Sequence, residues 1–268
     1  MKKINITLIR KLREKTGSGL LDCKKALIKA NGDFQKSLDY LRTSGICVAL
    51  KKSIKEPKIG KIFLYCNYMV SILIQLNAET DFVVKNNLFI TLGNEIVKYA
   101  GENFIFELKE IRKFFDKKII ALINKVKENI TLKKIYFLKG EYVSAYIHSG
   151  RIGVLLKWNS VLNAENLELG KKIAMHIAAS HPLYLQKDSI PSEVFLREYN
   201  VQMELAKKTG KKSFLLEKIV KGRMKKFQNE YTLLEQNFIF SNKETVKNFL
   251  KNKNFIIKEF IYVSLKDK

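Results

Sequence analysis

A chain of 268 residues is long enough for one large or two modest domains whose cores need no covalent staples. Its 46% hydrophobic and 28% charged residues exclude a disordered chain. Three cysteines, Cys23, Cys47 and Cys66, are odd in number and show no CxxC spacing, which excludes a disulfide framework and suits a reducing cytosol. The net charge of +24 invites a nucleic-acid reading, because basic surfaces release counterions on binding phosphate. Yet only seven of the 50 basic residues are Arg, and the lysines are scattered along the whole chain. Arg is the better residue for bidentate phosphate or base contacts, so the charge reads more simply as AT-rich coding bias. No apolar run approaches the ~20 residues of a membrane helix. Charges crowd the first eleven positions too closely for a signal-peptide core, and a cytoplasmic protein is expected.

Residues 1–55 read as three short helices. Leu8, Ile9 and Leu12 form a helical stripe that Gly17 stops; Leu20, Leu27 and Ala30 mark a second helix that Asn31-Gly32 ends. Asp33 suits the cap of a third helix carrying Leu38 and Leu41, with Gly45 at its end. A triple of this size resembles a ubiquitin-associated-type module. Lys51 to Pro57 reads as a basic linker. Ile62, Leu64 and Cys66 then alternate before Asn67-Tyr68, and Val70, Ile72, Ile74 and Leu76 alternate after it, predicting a β-hairpin with one buried face. Leu88, Leu92, Ile96 and Tyr99 follow at helical spacing, and Ile111, Phe115, Leu122 and Val126 mark a longer helix.

A second strand group runs from Ile135 to Trp158, punctuated at Lys139-Gly140 and Ser149-Gly150. Each hairpin is followed by a helix, so the core reads as two α+β halves with antiparallel sheets. From Pro191 to Phe227 the pattern is helical again, broken at Thr209-Gly210, with Ser213 placed to cap the continuation. Two helices so tightly joined form an antiparallel hairpin, a candidate surface for a homodimer. Phe255 to Leu265 alternates as a final strand returning to the sheet. The fold class is α+β. Its expected divisions are 1–55 (three-helix module), 56–140 (first half of the core), 141–187 with 228–268 (second half) and 188–227 (inserted hairpin).

The ordinary enzyme signatures are absent. Gly210-Lys211-Lys212-Ser213 lacks the spacing and preceding strand of a phosphate loop, no HExxH occurs, and His148, His176 and His181 have no ligand partners at metal spacing. No nucleophile elbow is present. Neither catalysis nor a bound metal or cofactor is expected. The sharpest feature is Thr80-Asp81-Phe82-Val83, which sets a large aromatic beside an acid where a strand-like run meets a helix-like one. It reads in two ways: Asp81 caps the following helix while Phe82 packs inward as a staple, or Phe82 is a probe pushed into another molecule.

Together with Thr16-Gly17-Ser18-Gly19-Leu20-Leu21-Asp22-Cys23-Lys24-Lys25-Ala26-Leu27, this motif resembles the elongation factor Ts family. Met175-His176-Ile177-Ala178-Ala179-Ser180 and Lys221-Gly222-Arg223-Met224-Lys225-Lys226-Phe227 extend the likeness over residues 1–265. The resemblance implies a guanine nucleotide exchange factor of translation, whose partner is elongation factor Tu in its GDP-bound and nucleotide-free forms. It implies that Thr80, Asp81, Phe82 and Val83 dislocate the partner's Mg²⁺, and that Arg13, Leu20, Leu21, Lys52, Val126 and His148 contact the partner. Adjacent leucines at a helix start cannot both face the core, so one of Leu20 and Leu21 is expected to be exposed. The family's Ile-Gly contact pair falls on Val126 and Lys127, so its Gly is absent. Many members continue into a C-terminal helix that embraces the partner; this chain stops at Lys268, implying a trimmed interface. A basic RNA-binding protein is the alternative, and it predicts aromatic-flanked basic clusters that the sequence does not display. An adaptor built on the first module is a third reading, but it would need a separate effector domain.

Overall fold

A computed structural model of the chain describes residues 6–16, 18–41, 57, 59–207, 213–241 and 244–266, the side chains of 213 and 214 excepted. Gly17, Gly45, Cys47, Lys51, Lys52 and Thr209-Gly210 lie outside the described residues. The fold is α+β, and it divides into two compact units. One is built from the described parts of 1–66, 72–137 and 265–268, the other from 67–71 and 138–264.

The first unit begins with α1 (Ile6–Thr16), α2 (Leu20–Lys29) and α3 (34–41). Asn31 (φ 49°) and Gly32 (φ 82°) turn left-handed after α2, and the Gly32 amide closes back on Leu27 O at 2.8 Å. Asp33 Oδ1 accepts from the Lys36 amide at 2.9 Å, which caps α3. Ile9, Leu12, Cys23, Ala26, Leu27, Leu38 and Leu41 bury one another in a small core of their own.

Three strands follow, β1 (Ile59–Cys66), β2 (Val70–Ala78) and β3 (Ile130–Lys139), in an antiparallel sheet of order β1-β2-β3. The expected one-faced hairpin needs correction here. β2 is the middle strand, and every one of its residues is buried. A strand covered on both faces loses the requirement for alternation. Its polar residues are satisfied internally: Gln75 Nε2 donates to Asn77 Oδ1 and Asn77 Nδ2 to Pro57 O, each at 3.0 Å. Between β2 and β3 the chain forms the single turn α4 (Asp81–Val84), then α5 (Asn87–Glu102) and α6 (Leu108–Val126). Leu92, Ile96, Ile111, Phe115 and Leu122 point inward as their spacing requires, while Leu88 stays half exposed. Gly93 and Gly101 lie against Phe63 and Tyr65 of β1, where a Cβ would fall inside either ring. Their bareness lets α5 approach the sheet.

The second unit carries β4 (Val143–His148), β5 (Ile152–Asn159) and β6 (Ile256–Ser264), antiparallel and in that order. Ser149 (φ 51°) and Gly150 (φ 68°) close the β4–β5 hairpin, with the Arg151 amide bonded to His148 O at 2.9 Å. Positive φ at both central residues is the primed turn that matches strand twist. α7 (Ala164–Ser180) lies on this sheet, and Trp158, Ile173, Ile177, Phe238, Val246 and Phe255 share its core. α8 (Ser192–Lys207) and α9 (Ser213–Tyr231) form the hairpin, closed by Ala206, Val220 and Met224. Pro191 stands one residue ahead of α8 rather than in its first turn, and its carbonyl accepts from the Phe195 amide at 3.0 Å. The short α10 (Val246–Leu250) leads into β6.

His176 is fully buried in this unit. Its Nδ1 takes the Ile239 amide at 3.4 Å, so Nε2 carries the proton toward Gln236 Oε1 at 3.0 Å. Burial holds the imidazole below its usual pKa of 6.5, which favours the neutral ring in the folded chain. The unfolded chain therefore binds the proton first, and stability is complete above pH 6.5 and falls as pH drops toward the depressed folded value. The melting temperature should decline as pH falls below about 6.5, and His176→Gln should remove the part of that decline due to this ring.

Candidate partner-binding site

Phe82 is 81% exposed although a buried pair directly follows it in the chain. The cause is α4 itself. Val83 and Val84 are buried at 6% and 9% exposure, and helical rotation turns the preceding residue away from them. The inward staple is thereby excluded. Thr80, the N-cap, is extended (φ −125°, ψ 159°) and makes no side-chain bond to the helix. It is held from elsewhere: its amide donates to Glu128 Oε2 at 2.9 Å and its hydroxyl to Glu128 Oε1 at 2.7 Å. One residue on, the Asn129 amide donates to Glu79 Oε1 at 2.8 Å. Asp81 opens the helix, and its exposed carboxylate takes Lys85 Nζ at 2.7 Å. That hydrogen bond holds the Asp81 pKa below the ordinary carboxylate value, so Phe82 has a negative charge beside it at neutral pH. Asn86 then caps α5 by accepting from the Leu88 amide at 2.9 Å.

The N-terminal module adds a second exposed apolar edge. Leu20 and Leu21 are both exposed, at 49% and 70%, so the expected exposure of one leucine holds and extends to its neighbour. They form the first turn of α2, whose core-facing residues begin with Cys23 and continue through Ala26 and Leu27. Arg13 is exposed on α1, close enough to Cys23 to act on its thiol electrostatically. Burial pushes that thiol's pKa up, helped by Asp22 and opposed by a bond to Thr16 and by Arg13 and Lys127, so it stays protonated and inert.

Lys127 joins the two edges. It ends α6 left-handed (φ 59°, ψ 27°), and its Nζ reaches Asp22 Oδ2 at 2.7 Å. The neighbouring Val126 is half-buried. The 126–129 segment therefore touches α2 through Lys127, Thr80 through Glu128 and Glu79 through Asn129. Glu128 was not marked by any sequence motif, and Lys127 was marked only as a departure from one. The one available sign was Lys127 standing at the family's Gly, since Gly favours left-handed backbone at a helix end. His148 lies in the second unit, exposed at the end of β4, with Nδ1 3.1 Å from Tyr146 Oη. Lys52 lies outside the described residues. Among the described residues no cluster of His, Cys, Asp or Glu could hold a metal, and no helix is long and apolar enough to cross a membrane.

Replacing Glu128 by Ala should leave the Thr80 amide and hydroxyl without their acceptor. Loss of such charge-assisted bonds costs about 1.5–3 kcal/mol, and hydrogen exchange of the 82–84 amides should accelerate while that of α7 does not change.

The family model described as Elongation factor TS matches residues 79–267, beginning one residue before Thr80. The elongation factor Ts of Buchnera aphidicola subsp. Cinara cedri (strain Cc) is 44% identical over 262 residues, covering 97% of this chain and 95% of that protein. That of Baumannia cicadellinicola subsp. Homalodisca coagulata is 41% identical over 263 residues, covering 97% and 93%. That of Photorhabdus laumondii subsp. laumondii is 38% identical over 263 residues, covering 97% and 92%. With nearly its whole length aligned to these relatives, the chain belongs to the elongation factor Ts family of translation elongation factors.

Proposed function

We propose that the protein is the guanine nucleotide exchange factor of elongation factor Tu, working in the cytoplasm. It binds the GDP-bound form, disturbs the Mg²⁺ and phosphate site, expels GDP, and is itself displaced by incoming GTP. The observation that supports this most is an outward phenyl ring on a one-turn helix that two valines and Glu128 hold still. An aromatic pressed between the partner's elements shifts the groups around the cation, and Mg²⁺ demands near-ideal octahedral geometry. The Asp81 carboxylate brings a negative charge to the same place. No covalent intermediate is needed, and this chain binds neither the nucleotide nor the metal. Whatever weakens GDP in the complex lets GDP weaken the factor equally.

Magnitudes require more than one contact. A thousandfold faster release needs about 4 kcal/mol of preferential stabilisation, whereas burying one Phe supplies roughly 1.5–3 kcal/mol. The Leu20-Leu21 edge, Arg13, Lys52, Val126 and His148 are the surfaces proposed to supply the remainder by gripping the partner.

Phe82→Ala should slow stimulated GDP release about tenfold or more with the fold intact, measured with fluorescent GDP on elongation factor Tu; an unchanged rate at saturating factor sinks the wedge. Leu20→Ala, Leu21→Ala and Arg13→Ala should instead raise the concentration needed for half-maximal release and leave the maximal rate near its original value. Calorimetry of complex formation checks the same ordering.

A further inference from the structure

Lys127 occupies a position where its own backbone argues against it. With φ at 59° and ψ at 27° just past α6, it adopts the left-handed cap that glycine takes freely and a lysine takes only at a cost. Its side chain gives that conformation a use. The ammonium reaches over to α2 and meets Asp22 Oδ2 at 2.7 Å. Asp22 directly follows Leu20 and Leu21, both exposed. The residue after Lys127 is Glu128, whose carboxylate holds Thr80 two positions before the exposed Phe82. Two consecutive residues thus bind the two apolar edges of this unit, one edge each.

We infer that Lys127 and Asp22 form an ionic latch that holds the Leu20-Leu21 edge at a fixed placement from the Phe82 turn, and that Lys127 is a positioning residue for partner recognition. This rests on the proposed exchange function, since the partner that needs both edges at once is elongation factor Tu. Holding them in one body lets the second edge engage intramolecularly once the first has bound. The side chains of Lys127 and Asp22 are 44% and 42% exposed, so water and salt weaken their attraction. The gain in affinity should be roughly two- to fivefold, the range of a well-formed surface pair.

Lys127→Asn separates this role from ordinary structural support. It removes the ammonium and tolerates the left-handed backbone better than lysine, without restoring the family's Gly, so the melting temperature should hold. In the same variant, ¹⁵N relaxation of the free protein should show α1 and α2 tumbling faster than α5 and α6, where the unaltered chain shows a common correlation time. The concentration of factor giving half-maximal GDP release from elongation factor Tu should rise two- to fivefold at an unchanged maximal rate. Asp22→Asn should reproduce both effects, and Asp22→Lys combined with Lys127→Asp should reverse them. Common tumbling in Lys127→Asn, or failure of the exchanged pair to restore it, overturns the latch whatever the exchange activity is. Altered tumbling with unaltered affinity overturns the positioning role. Absence of any accelerated GDP release by the unaltered protein overturns the exchange reading and the recognition role together.

Discussion

Both oxygens of one carboxylate, that of Glu128, are occupied by Thr80, one by its amide and the other by its hydroxyl. What α4 presents to the outside depends on that grip. A four-residue helix has too few internal hydrogen bonds to persist alone. It persists here because its first residue follows a clamped N-cap and its last two are buried. The clamp comes from a residue 48 positions away in sequence, at the point where α6 gives way to β3. The strand pair β2–β3 and the turn bearing Phe82 are consequently set by the same few atoms.

The division of labour within α4 follows from side-chain size and direction. Val83 and Val84 are short and branched, and each hydrophobic burial of this kind contributes about 1.5 kcal/mol or more toward keeping the turn seated. Phe82 is larger and would contribute more if it were buried, yet it is left outside. A benzyl group so largely exposed forgoes most of that stabilisation in the free protein and recovers it on meeting an apolar surface elsewhere. The two leucines opening α2 make the same sacrifice.

Much of this was legible from local patterning. Helical spacing located Leu92, Ile96, Ile111 and Phe115; Asn31-Gly32 and Ser149-Gly150 announced left-handed turns; Asp33 announced a cap. Each depends on neighbours within a few positions, which is the range over which sequence speaks directly. Sheet order does not have that range. β2 alternates like a half-exposed strand because Ser71, Gln75 and Asn77 are polar, but β3 arrives from 52 residues beyond its end and the strand becomes central. The exposure of the second leucine goes beyond what local sequence requires: adjacent residues cannot both face inward, but only the placement of the helix decides that neither does, and here the core begins at Cys23. Glu128 belongs to no motif, and Lys127 stands out only as a departure from one. Their importance arises from partners 48 and 105 positions away.

The lysine-rich composition acquires a meaning beside these bared apolar groups. Phe82, Leu20 and Leu21, along with Val194, Leu196 and Val201 on α8, are all open to solvent. Such side chains would draw identical copies together at cellular concentrations. A surplus of 24 positive charges scattered along the whole chain opposes that encounter. Mutual repulsion between copies is therefore the colloidal counterpart of a sticky recognition edge, and it fades as added electrolyte shortens the reach of each charge.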